Sequence, residues 1–358
     1  VKNYTTTRFP AHADFMGNKY RATHQMHRHV CFACRSFHCH LMKLTEGKYV
    51  GYEGEEPEYE QWAAFGSAIG NTDLGGAFVL SNEVDRLGMD CNEMGWAIGW
   101  TMECYEKELL SQDDLDGLQM TWGNVEAARQ LVRNIANRRG FGDILAEGVM
   151  RAAQKIGGEA ARLAIYTQKG NSPRGHDHRG RWSELFDTSV SSMGTYESHL
   201  GGTPNKEAYG LPSQIGDHDP ELIAEAVAKT KGAVQFEDSL VTCRFVTGLH
   251  LDLLCQAVEA ATGWDFDFQE ARNLGRRAVT LARVFNLRRG IGHQMDRPSE
   301  RYGSPAPDGP HAGISIMEHW DRMLEVHHRN MGWDAKGVPL PETLRALGLE
   351  DVVRDLPG

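Results

Sequence analysis

Helix signals most strongly constrain the fold of this chain. From about Glu58 onward, apolar residues recur at spacings of three and four. One such stripe consists of Met94, Ile98, Met102, Tyr105 and Leu109. Asp219 followed by Pro220 places a capping side chain before a proline at the first helical position. Asp267 and Glu270 have capping-box spacing ahead of a long helix. About ten helices and few strands are predicted, so the fold class is mainly α.

The same signals divide the chain into three parts. These are a loop-rich, cysteine-bearing segment over 1–50, a helical domain over 51–165 and a second helical domain over 166–358. Four further helices are expected, over 58–69, 73–87, 315–330 and 341–347. Asp143 is expected to cap another helix, and the stretch 41–60 predicts a strand, a turn and a second strand.

The charge balance argues against one class of function. Lys and Arg number 38 against 49 Asp and Glu, which gives a net charge of −11. Non-specific nucleic-acid binding needs clustered positive charge, so no nucleic-acid partner is expected. The sequence shows no apolar run of bilayer length and no secretory signal, so a cytoplasmic protein without a membrane partner is expected. Val1 opens the chain without Met, which favours a fragment of a longer protein.

Three cysteines, Cys31, Cys34 and Cys39, lie together in CFACRSFHC. Thiolates at this spacing can converge on one metal centre, and the odd total of seven cysteines fits metal ligation better than a disulfide framework. A fourth ligand is needed, and Cys243 in DSLVTCRF is the best candidate. The three-plus-one layout favours a 4Fe–4S cluster, with structural zinc as the alternative. The other cysteines lie in apolar helical contexts and are predicted to be buried thiols: Cys91, Cys104 and Cys255.

Two similar hexapeptides occur, DRLGMD over 85–90 and DSLVTC over 238–243. Each places an Asp five positions before an Asp or Cys at a predicted helix end. Ordinary helix capping accounts for one such match. A carboxylate beside backbone polar groups can also grip the amino and amide edge of a pterin-like heterocycle. Because the second hexapeptide ends on Cys243, it would hold such a heterocycle beside the metal centre.

Two charged stretches are further candidates. KGNSPRGHDHRGRW, over 169–182, sets basic side chains between flexible glycines. This composition suits an anionic or phosphorylated ligand, and an exposed basic loop explains it equally well. The acidic run EGEEPEYE includes Glu58 and precedes an apolar helix that Glu60 begins. Most acidic runs are solvated, but partial burial of Glu60 would suit a proton-transfer role.

Taken together and in order, these residues resemble the aldehyde:ferredoxin oxidoreductase family. The resemblance spans nearly the whole chain. Its motifs are KNYTT, the CxxC loop, PEYE with AFGSAIGN, LSNEVDRLGMD, LAEGV, Lys169-Gly170 with Asp177 to Arg179, DSLVTCRF, ATGWD, RVFNLRRG and GWDAKGVPLPETLRALGL. The chain corresponds to the two α-helical domains of the family, domains 2 and 3, without the N-terminal β-rich domain.

The resemblance implies a bis-molybdopterin cofactor that holds tungsten, less often molybdenum, beside a 4Fe–4S cluster. The implied cluster ligands are Cys31, Cys34, Cys39 and Cys243. The implied pterin contacts are Asp85, Gly88, Met89, Asp90, Lys169, Asp238 and Thr242. The implied catalytic residues near the metal are Glu60, with Glu58 a close rival, and His199.

Three features depart from the family pattern. One extra residue precedes Cys39, Val241-Thr242 stands where Gly-Leu is usual, and no Arg-Gly pair precedes His199. The implied reaction is oxidation of a small aldehyde to a carboxylic acid, with ferredoxin or another electron-transfer subunit as acceptor. One alternative is a ring-reducing catalytic subunit of the benzoyl-CoA reductase type, acting on an acyl substrate. Others are a non-catalytic Fe–S module, unless a partner chain supplies the missing N-terminal domain, and a zinc-stapled helical scaffold. Each is compatible with a homo-oligomer.

Overall fold

The computed structural model describes every residue of the chain except Ala33, Arg35, Met193, Tyr196, His199, Pro357 and Gly358. Helices dominate the described residues, so the predicted mainly α fold class is confirmed. The chain splits into two compact units. The first unit comprises residues 1–166, 170–177 and 298–314, and the second comprises 167–169, 178–297 and 315–358.

The first unit contains eight helices and a small sheet within its described residues. The helices are α1 (Gly17–Thr23), α2 (Tyr59–Phe65), α3 (Leu74–Arg86), α4 (Cys91–Glu106), α5 (Val125–Ala136), α6 (Phe141–Leu145), α7 (Val149–Ile156) and α8 (Gly158–Leu163). The strands β1 (Gln25–Arg28), β2 (His40–Lys43) and β3 (Glu53–Glu55) form an antiparallel sheet in the order β1-β2-β3. The predicted strand-turn-strand corresponds to β2 and β3, whereas α1 and β1 were not predicted.

The core of the first unit lies where α2, α3 and α4 meet. Phe65, Phe78 and Trp100 are fully buried there, and each such side chain contributes about 1.5–3 kcal/mol. A Cβ atom on Gly95 of α4 would lie 2.6 Å from the Cβ of Ala64. Real Cβ atoms do not come this close, so a glycine is required where α4 crosses α2.

Apart from one isolated β-bridge between Trp333 and Pro339, the second unit is built from helices among its described residues. They are α9 (Trp182–Val190), α10 (Pro220–Thr230), α11 (Ala233–Ser239), α12 (Arg244–Thr247), α13 (Leu251–Thr262), α14 (Phe268–Arg288), α15 (Trp320–Met331) and α16 (Pro341–Ala346). Helix α10 packs against α15, and α11 packs against α14. At the second contact a Cβ on Gly275 would lie 1.8 Å from the carbonyl oxygen of Gly232, so the two backbones touch directly.

Helix start signals are confirmed where the cap is local. The carboxylate of Asp219 accepts from the Leu222 N–H at 3.1 Å, and that of Asp267 accepts from the Glu270 N–H at 2.8 Å. The prediction of one helix over 58–69 is wrong, because Gly66 leaves helical geometry (φ −104°, ψ −95°) and only a 3-10 turn follows at Ser67–Ile69.

The predicted cap at Asp143 is also wrong. Asp143 lies inside α6, which begins at Phe141. The Phe141 N–H donates to the carboxylate of Asp116 at 2.7 Å, so the start of this helix is set by a residue remote in sequence. No helix among the described residues is long and apolar enough to cross a membrane.

Candidate functional site

The three clustered cysteines lie in the loop that connects β1 to β2. Arg28 pairs with His40 at the strand ends, and the His29 N–H donates to the Cys39 carbonyl at 3.0 Å, which closes the loop. Inside it, the Cys34 N–H donates to the Cys31 carbonyl at 3.0 Å. A short hairpin thus holds all three thiols on one connection.

The thiols of this loop are suited to metal ligation. All three are free cysteines, Cys31 exposed and the others partly exposed. The Ser36 N–H lies 3.3 Å from Cys34 Sγ, a contact that stabilises a thiolate. Burial raises the pKa of Cys39 most, and the neighbouring Cys31 thiol raises it further, so these two side chains interact. The interaction brings the Cys31 and Cys39 thiols together, and ligation of an iron–sulfur cluster by all three loop cysteines stays a prediction.

His38 and Glu58 lie beside Cys39. The Nδ1 atom of His38 is 3.3 Å from Glu58 Oε1 and 3.8 Å from Cys39 Sγ. Burial raises the pKa of Glu58, and the charge of His38 opposes that shift. Glu58 also forms the capping box of α2 with Gln61. The contacts with Gln61 and with His38 therefore hold Glu58 between the start of α2 and the cysteine loop.

Glu60 lies in the first turn of α2, directly after Tyr59 in the sequence. Its Oε1 atom is 3.3 Å from Arg174 Nη1 and 3.8 Å from His176 Nε2. The His176 ring stands edge-on to Tyr59, with 4.7 Å between ring centroids. Gly175 lets this basic segment lie on α2, since a Cβ there would be 2.8 Å from the Cβ of Ala63. The predicted catalytic carboxylate therefore sits between two basic side chains, and Arg174 and His176 do not form a solvated basic loop.

The first hexapeptide forms the turn between α3 and α4. Gly88 adopts φ +68°, and its N–H donates to the Asp85 carbonyl at 3.0 Å. The Met89 N–H donates to the Val84 carbonyl at 3.2 Å, which completes a Schellman motif. Asp90 caps α4 by accepting from the Glu93 N–H at 2.7 Å. Asp90 therefore has the ordinary capping role that its sequence position allows.

The carboxylate of Asp85 is exposed at the end of α3. It accepts from Gln61 Nε2 at 2.7 Å and from the Cys91 thiol at 3.2 Å. Burial raises the pKa of Cys91 to about 12, so this thiol stays protonated and remains a donor. Both contacts orient Asp85 without burying it.

The second hexapeptide repeats this turn between α11 and α12. Val241 occupies the position of Gly88 and also has a positive φ, +57°, and its N–H donates to the Asp238 carbonyl at 3.0 Å. The hydroxyl of Thr242 donates to the Glu237 carbonyl at 3.1 Å, where the first copy uses a backbone N–H. Cys243 then takes the cap position of α12, with no side-chain capping bond. The two hexapeptides are therefore alike in structure as well as in sequence.

A buried carboxylate adjoins the second hexapeptide. Glu237 has none of its side chain exposed, and its oxygens make no hydrogen bond of normal geometry within the described residues, although the Leu249 backbone lies close enough to lower its pKa. Burial raises its pKa, opposed by Arg244, whose Nε atom is 3.8 Å away. Arg244 also lies 3.8 Å from the exposed Asp238 carboxylate. Sequence reasoning passed over Glu237, although its place directly before Asp238 was a usable signal.

Lys169, a predicted cofactor contact, is buried in the second unit. Its Nζ atom lies 2.6 Å from Asp296 Oδ1 and donates to the Ser189 carbonyl at 2.6 Å. Arg283 Nη1 lies 3.0 Å from the other oxygen of Asp296. Burial lowers the pKa of Lys169, and Asp296 opposes this shift. Lys169 is therefore anchored through an ion pair.

The predicted catalytic His199 lies outside the described residues. The residues just before it are held by a buried ionic cluster of Lys231, Asp187 and Glu197. Lys231 Nζ donates to Asp187 at 2.8 Å and to Glu197 at 2.7 Å, and Asp187 accepts from the Ser198 N–H at 2.8 Å. Sequence reasoning missed this cluster, because nothing in the local pattern marks Lys231 as buried.

The first unit thus brings the loop cysteines, Glu58, Glu60 and the turn at 85–90 into one compact body. Asp238, Thr242, Cys243 and Lys169 belong to the second unit. Cys243 is exposed there. The convergence of all four cysteines on one metal centre stays a prediction.

One family model matches nearly the whole chain. Its description is "Aldehyde ferredoxin oxidoreductase, domains 2 & 3", and the match covers residues 1–349. The chain is similar to the tungsten-containing aldehyde ferredoxin oxidoreductases of Pyrococcus abyssi, with 29% identity over 370 residues, and Pyrococcus furiosus, with 30% over 367. These alignments cover 99% and 98% of this chain but 58% and 57% of the relatives.

Two further similarities concern multi-subunit proteins. The WOR-like subunit of the Pyrococcus furiosus aliphatic sulfonate oxidoreductase is 29% identical, over 87% of this chain and 49% of that protein. Among solved structures, the active site complex BamBC of benzoyl coenzyme A reductase with 1,5-dienoyl-CoA aligns with a TM-score of 0.77 and 20% identity. That alignment covers 99% of this chain and 58% of the solved one, and at this identity the likeness concerns the fold alone.

Proposed function

The chain belongs to the aldehyde ferredoxin oxidoreductase family, and we propose that it forms the helical part of a tungsten (or molybdenum) bis-molybdopterin oxidoreductase. The proposed reaction oxidises an aldehyde to a carboxylic acid and passes electrons through a 4Fe–4S cluster to ferredoxin. The match to domains 2 and 3 over residues 1–349 is the observation that carries this proposal. Since the chain spans little more than half the length of its curated relatives, the activity needs the remainder of such a protein.

The proposed cluster ligands are Cys31, Cys34, Cys39 and Cys243. The hairpin between β1 and β2 supports three of them, since it gathers free thiols and supplies the Ser36 N–H to one sulfur. Cys243 is supported by its exposure and by its place directly after the second repeated turn. The loop with the extra residue before Cys39 includes a left-handed backbone at Phe37, with φ +55°.

The two repeated turns are the proposed pterin contacts. The first offers Asp85, Gly88, Met89 and Asp90, and the second offers Asp238 and Thr242. Space at the first turn supports this role, because a Cβ on Gly88 would meet no atom within 4 Å. The exposed carboxylates of Asp85 and Asp238 suit the amino and amide edge of a pterin. Lys169 is proposed to support the cofactor through its ion pair with Asp296.

Glu60 and His199 are the proposed proton carriers. When bound, the tungsten centre supplies two-electron redox chemistry and Lewis acidity. Glu60 is held in place for this role by Arg174 and His176, which both lie near its Oε1 atom. Glu58 remains the rival base, because burial favours its protonated form at the mouth of the cysteine loop.

The proposal is tested on the full-length protein, grown with tungstate and purified without oxygen. We expect tungsten, pterin and about four iron atoms per chain, and aldehyde-dependent reduction of a viologen dye. Reduction of an aromatic acyl-CoA in place of aldehyde oxidation would assign the ring-reducing function instead. A preparation with zinc and no iron would overturn the cluster and with it the electron path, whereas a cluster without tungsten or pterin would indicate a non-catalytic Fe–S module.

A further inference from the structure

Residues 172–176 form a segment, called the strap below, that carries Arg174 and His176, the two basic residues beside Glu60. The strap belongs to the first unit and has no helix or strand of its own. A segment without regular structure is held by the partners that its polar groups find elsewhere. These partners therefore determine where Arg174 and His176 stand relative to Glu60.

Helix α4 holds the first part of the strap. The Ser172 hydroxyl donates to Glu93 Oε2 at 2.5 Å, and the Trp96 indole N–H donates to the Pro173 carbonyl at 2.6 Å. Glu93 and Trp96 are three residues apart in α4 and therefore share one face of the helix. Trp96 and Pro173 are both buried, which strengthens the bond between them. The strap is therefore fixed to α4 at its start.

Tyr4 holds the last residue of the strap. Its hydroxyl donates to the His176 carbonyl at 2.8 Å, and only 1% of its surface is exposed. The Tyr4 ring also stands edge-on to Trp96, with 5.3 Å between ring centroids. The two aromatic residues that hold the two ends of the strap thus support each other.

Asn92 holds the middle of the strap, between Arg174 and His176. Its Oδ1 atom accepts from the Gly175 N–H at 3.0 Å. Asn92 lies in the first turn of α4, the helix that Asp90 of the first hexapeptide caps. One hydrogen bond therefore connects the start of α4 to the residues on both sides of Gly175.

The strap acts on one oxygen of Glu60. Arg174 Nη1 and His176 Nε2 lie 3.3 and 3.8 Å from Oε1, while Oε2 receives no hydrogen bond or ion pair from the described residues. The side chain of Glu60 is 28% exposed. A carboxylate with one oxygen held and the other unoccupied has a fixed direction in which it can accept a proton.

We propose that Asn92 is a positioning residue for Glu60 and acts on it through the strap. The inference rests on the proposed function, in which Glu60 carries a proton. Asn92 fixes the Gly175 backbone. Gly175 in turn places Arg174 and His176 beside Oε1, which leaves Oε2 to accept the proton. Loss of this order costs rate, because displacing a reacting group by about 1 Å lowers a rate by up to about a hundredfold.

The first test measures amide hydrogen exchange at Gly175 in the full-length protein and needs no catalysis. The Gly175 N–H is expected to exchange slowly in the parent, and Asn92→Ala should speed this exchange about tenfold or more. Asn92→Asp keeps an acceptor oxygen in place and should keep the exchange slow. Fast exchange in the parent, or an unchanged rate in Asn92→Ala, would overturn the proposal.

The second test compares Asn92→Ala, Asn92→Asp and Asn137→Ala in aldehyde oxidation by the tungsten-loaded full-length protein, with kcat expressed per tungsten. Asn92→Ala is expected to lower kcat about tenfold or more with KM unchanged, because it disorders a proton carrier and leaves substrate binding intact. Asn92→Asp should recover most of the lost kcat. Asn137→Ala is the matched control, since it removes a side-chain bond to the Arg133 carbonyl at the end of α5 and should leave kcat parental.

Gly175→Ala tests the same contact by size. A Cβ atom on Gly175 would lie 2.8 Å from the Cβ of Ala63 and 3.1 Å from the Glu60 carbonyl oxygen, so it should push the strap away from α2 and lower kcat. Adding Ala63→Gly removes the opposing Cβ and should restore part of that loss. Parental kcat in both Asn92→Ala and Gly175→Ala would refute the positioning role. Parental kcat in Glu60→Gln, or a parent protein without tungsten, would refute the proposed function instead.

Discussion

Gly88 and Val241 occupy the same position in two repeated turns, and both have a left-handed backbone, with φ of +68° and +57°. Glycine adopts this conformation freely, whereas a β-branched residue is strained in it. Val241 is also 92% exposed, so its side chain gains almost no packing in return. The second turn therefore holds strain that the first lacks.

Replacing Val241 by glycine should relieve that strain. We expect Val241→Gly to raise the free energy of unfolding by about 1 kcal/mol, since the left-handed penalty of about 1–2 kcal/mol is partly offset by the greater freedom of an unfolded glycine. Urea denaturation measures the change. The reciprocal Gly88→Val should lower the free energy of unfolding by about 1–2 kcal/mol. Equal stability of Val241→Gly and the parent would show that the turn is not strained.

Lys231 should be among the most sensitive positions of the second unit. Lys231→Met leaves the buried carboxylates of Asp187 and Glu197 without their cation, and breaking such a cluster costs about 3–5 kcal/mol. The matched control is Lys229→Met in the last turn of α10, two residues before Lys231, which removes a partly exposed pair with Glu225 worth about 0–1 kcal/mol. Thermal and urea unfolding of both variants test the difference. Similar losses from the two substitutions would contradict the buried-cluster assignment.

Stability should fall in mild acid because of His328, a buried histidine of α15. His328 has a pKa of about 4 when folded, against about 6.5 in the unfolded chain, so the unfolded state binds the extra proton between these values. The free energy of unfolding should therefore decrease as pH falls from 6.5 towards 4, by about 3 kcal/mol from this residue. His328→Phe should reduce the slope of the free energy of unfolding against pH by the equivalent of up to one bound proton. Urea titrations at several pH values measure it, and an unchanged slope would mean that His328 titrates normally.

Iron content should separate the loop cysteines from the structural ones. Cys39→Ser is expected to lose most of the iron, because serine is a poor ligand for an Fe–S cluster. Cys104→Ala is the control, since Cys104 is buried in α4 and burial raises its pKa to about 12. It should keep parental iron. Iron retained by Cys39→Ser would show that the loop is ligated differently.

Local rules predicted the parts of the fold that local chemistry determines. Asp219 and Asp267 cap their helices as predicted, because each carboxylate accepts a hydrogen bond from the N–H three residues later. That bond depends on no distant part of the chain. The predicted cap at Asp143 was wrong because the first N–H of that helix donates to Asp116, which is distant in sequence. Short helices such as α12 were missed, since four residues carry no periodic signal.

The residues of the candidate site also fall into two groups, those that the local sequence predicts and those whose role depends on contacts distant in sequence. The loop thiols and the two hexapeptides are visible as spacing and composition, and the structure shows that the hexapeptides share one turn. Glu237 and Lys231 were not predicted, because their burial depends on how α11 and α10 pack within the second unit. The surroundings of Glu60 also required the structure, since Arg174 and His176 are distant in sequence.

The cap position of the repeated turn has a consequence for how such a protein matures. In the first copy Asp90 satisfies the start of α4 by itself, so that turn is complete once the chain has folded. In the second copy Cys243 gives α12 no side-chain cap, and the helix has only four residues. Whatever binds the Cys243 sulfur then supplies the order that Asp90 provides unaided. Under the proposed ligation by Cys243, cluster insertion and the last local step of folding would be thermodynamically linked at this turn, and slow amide exchange in α12 would report a matured chain.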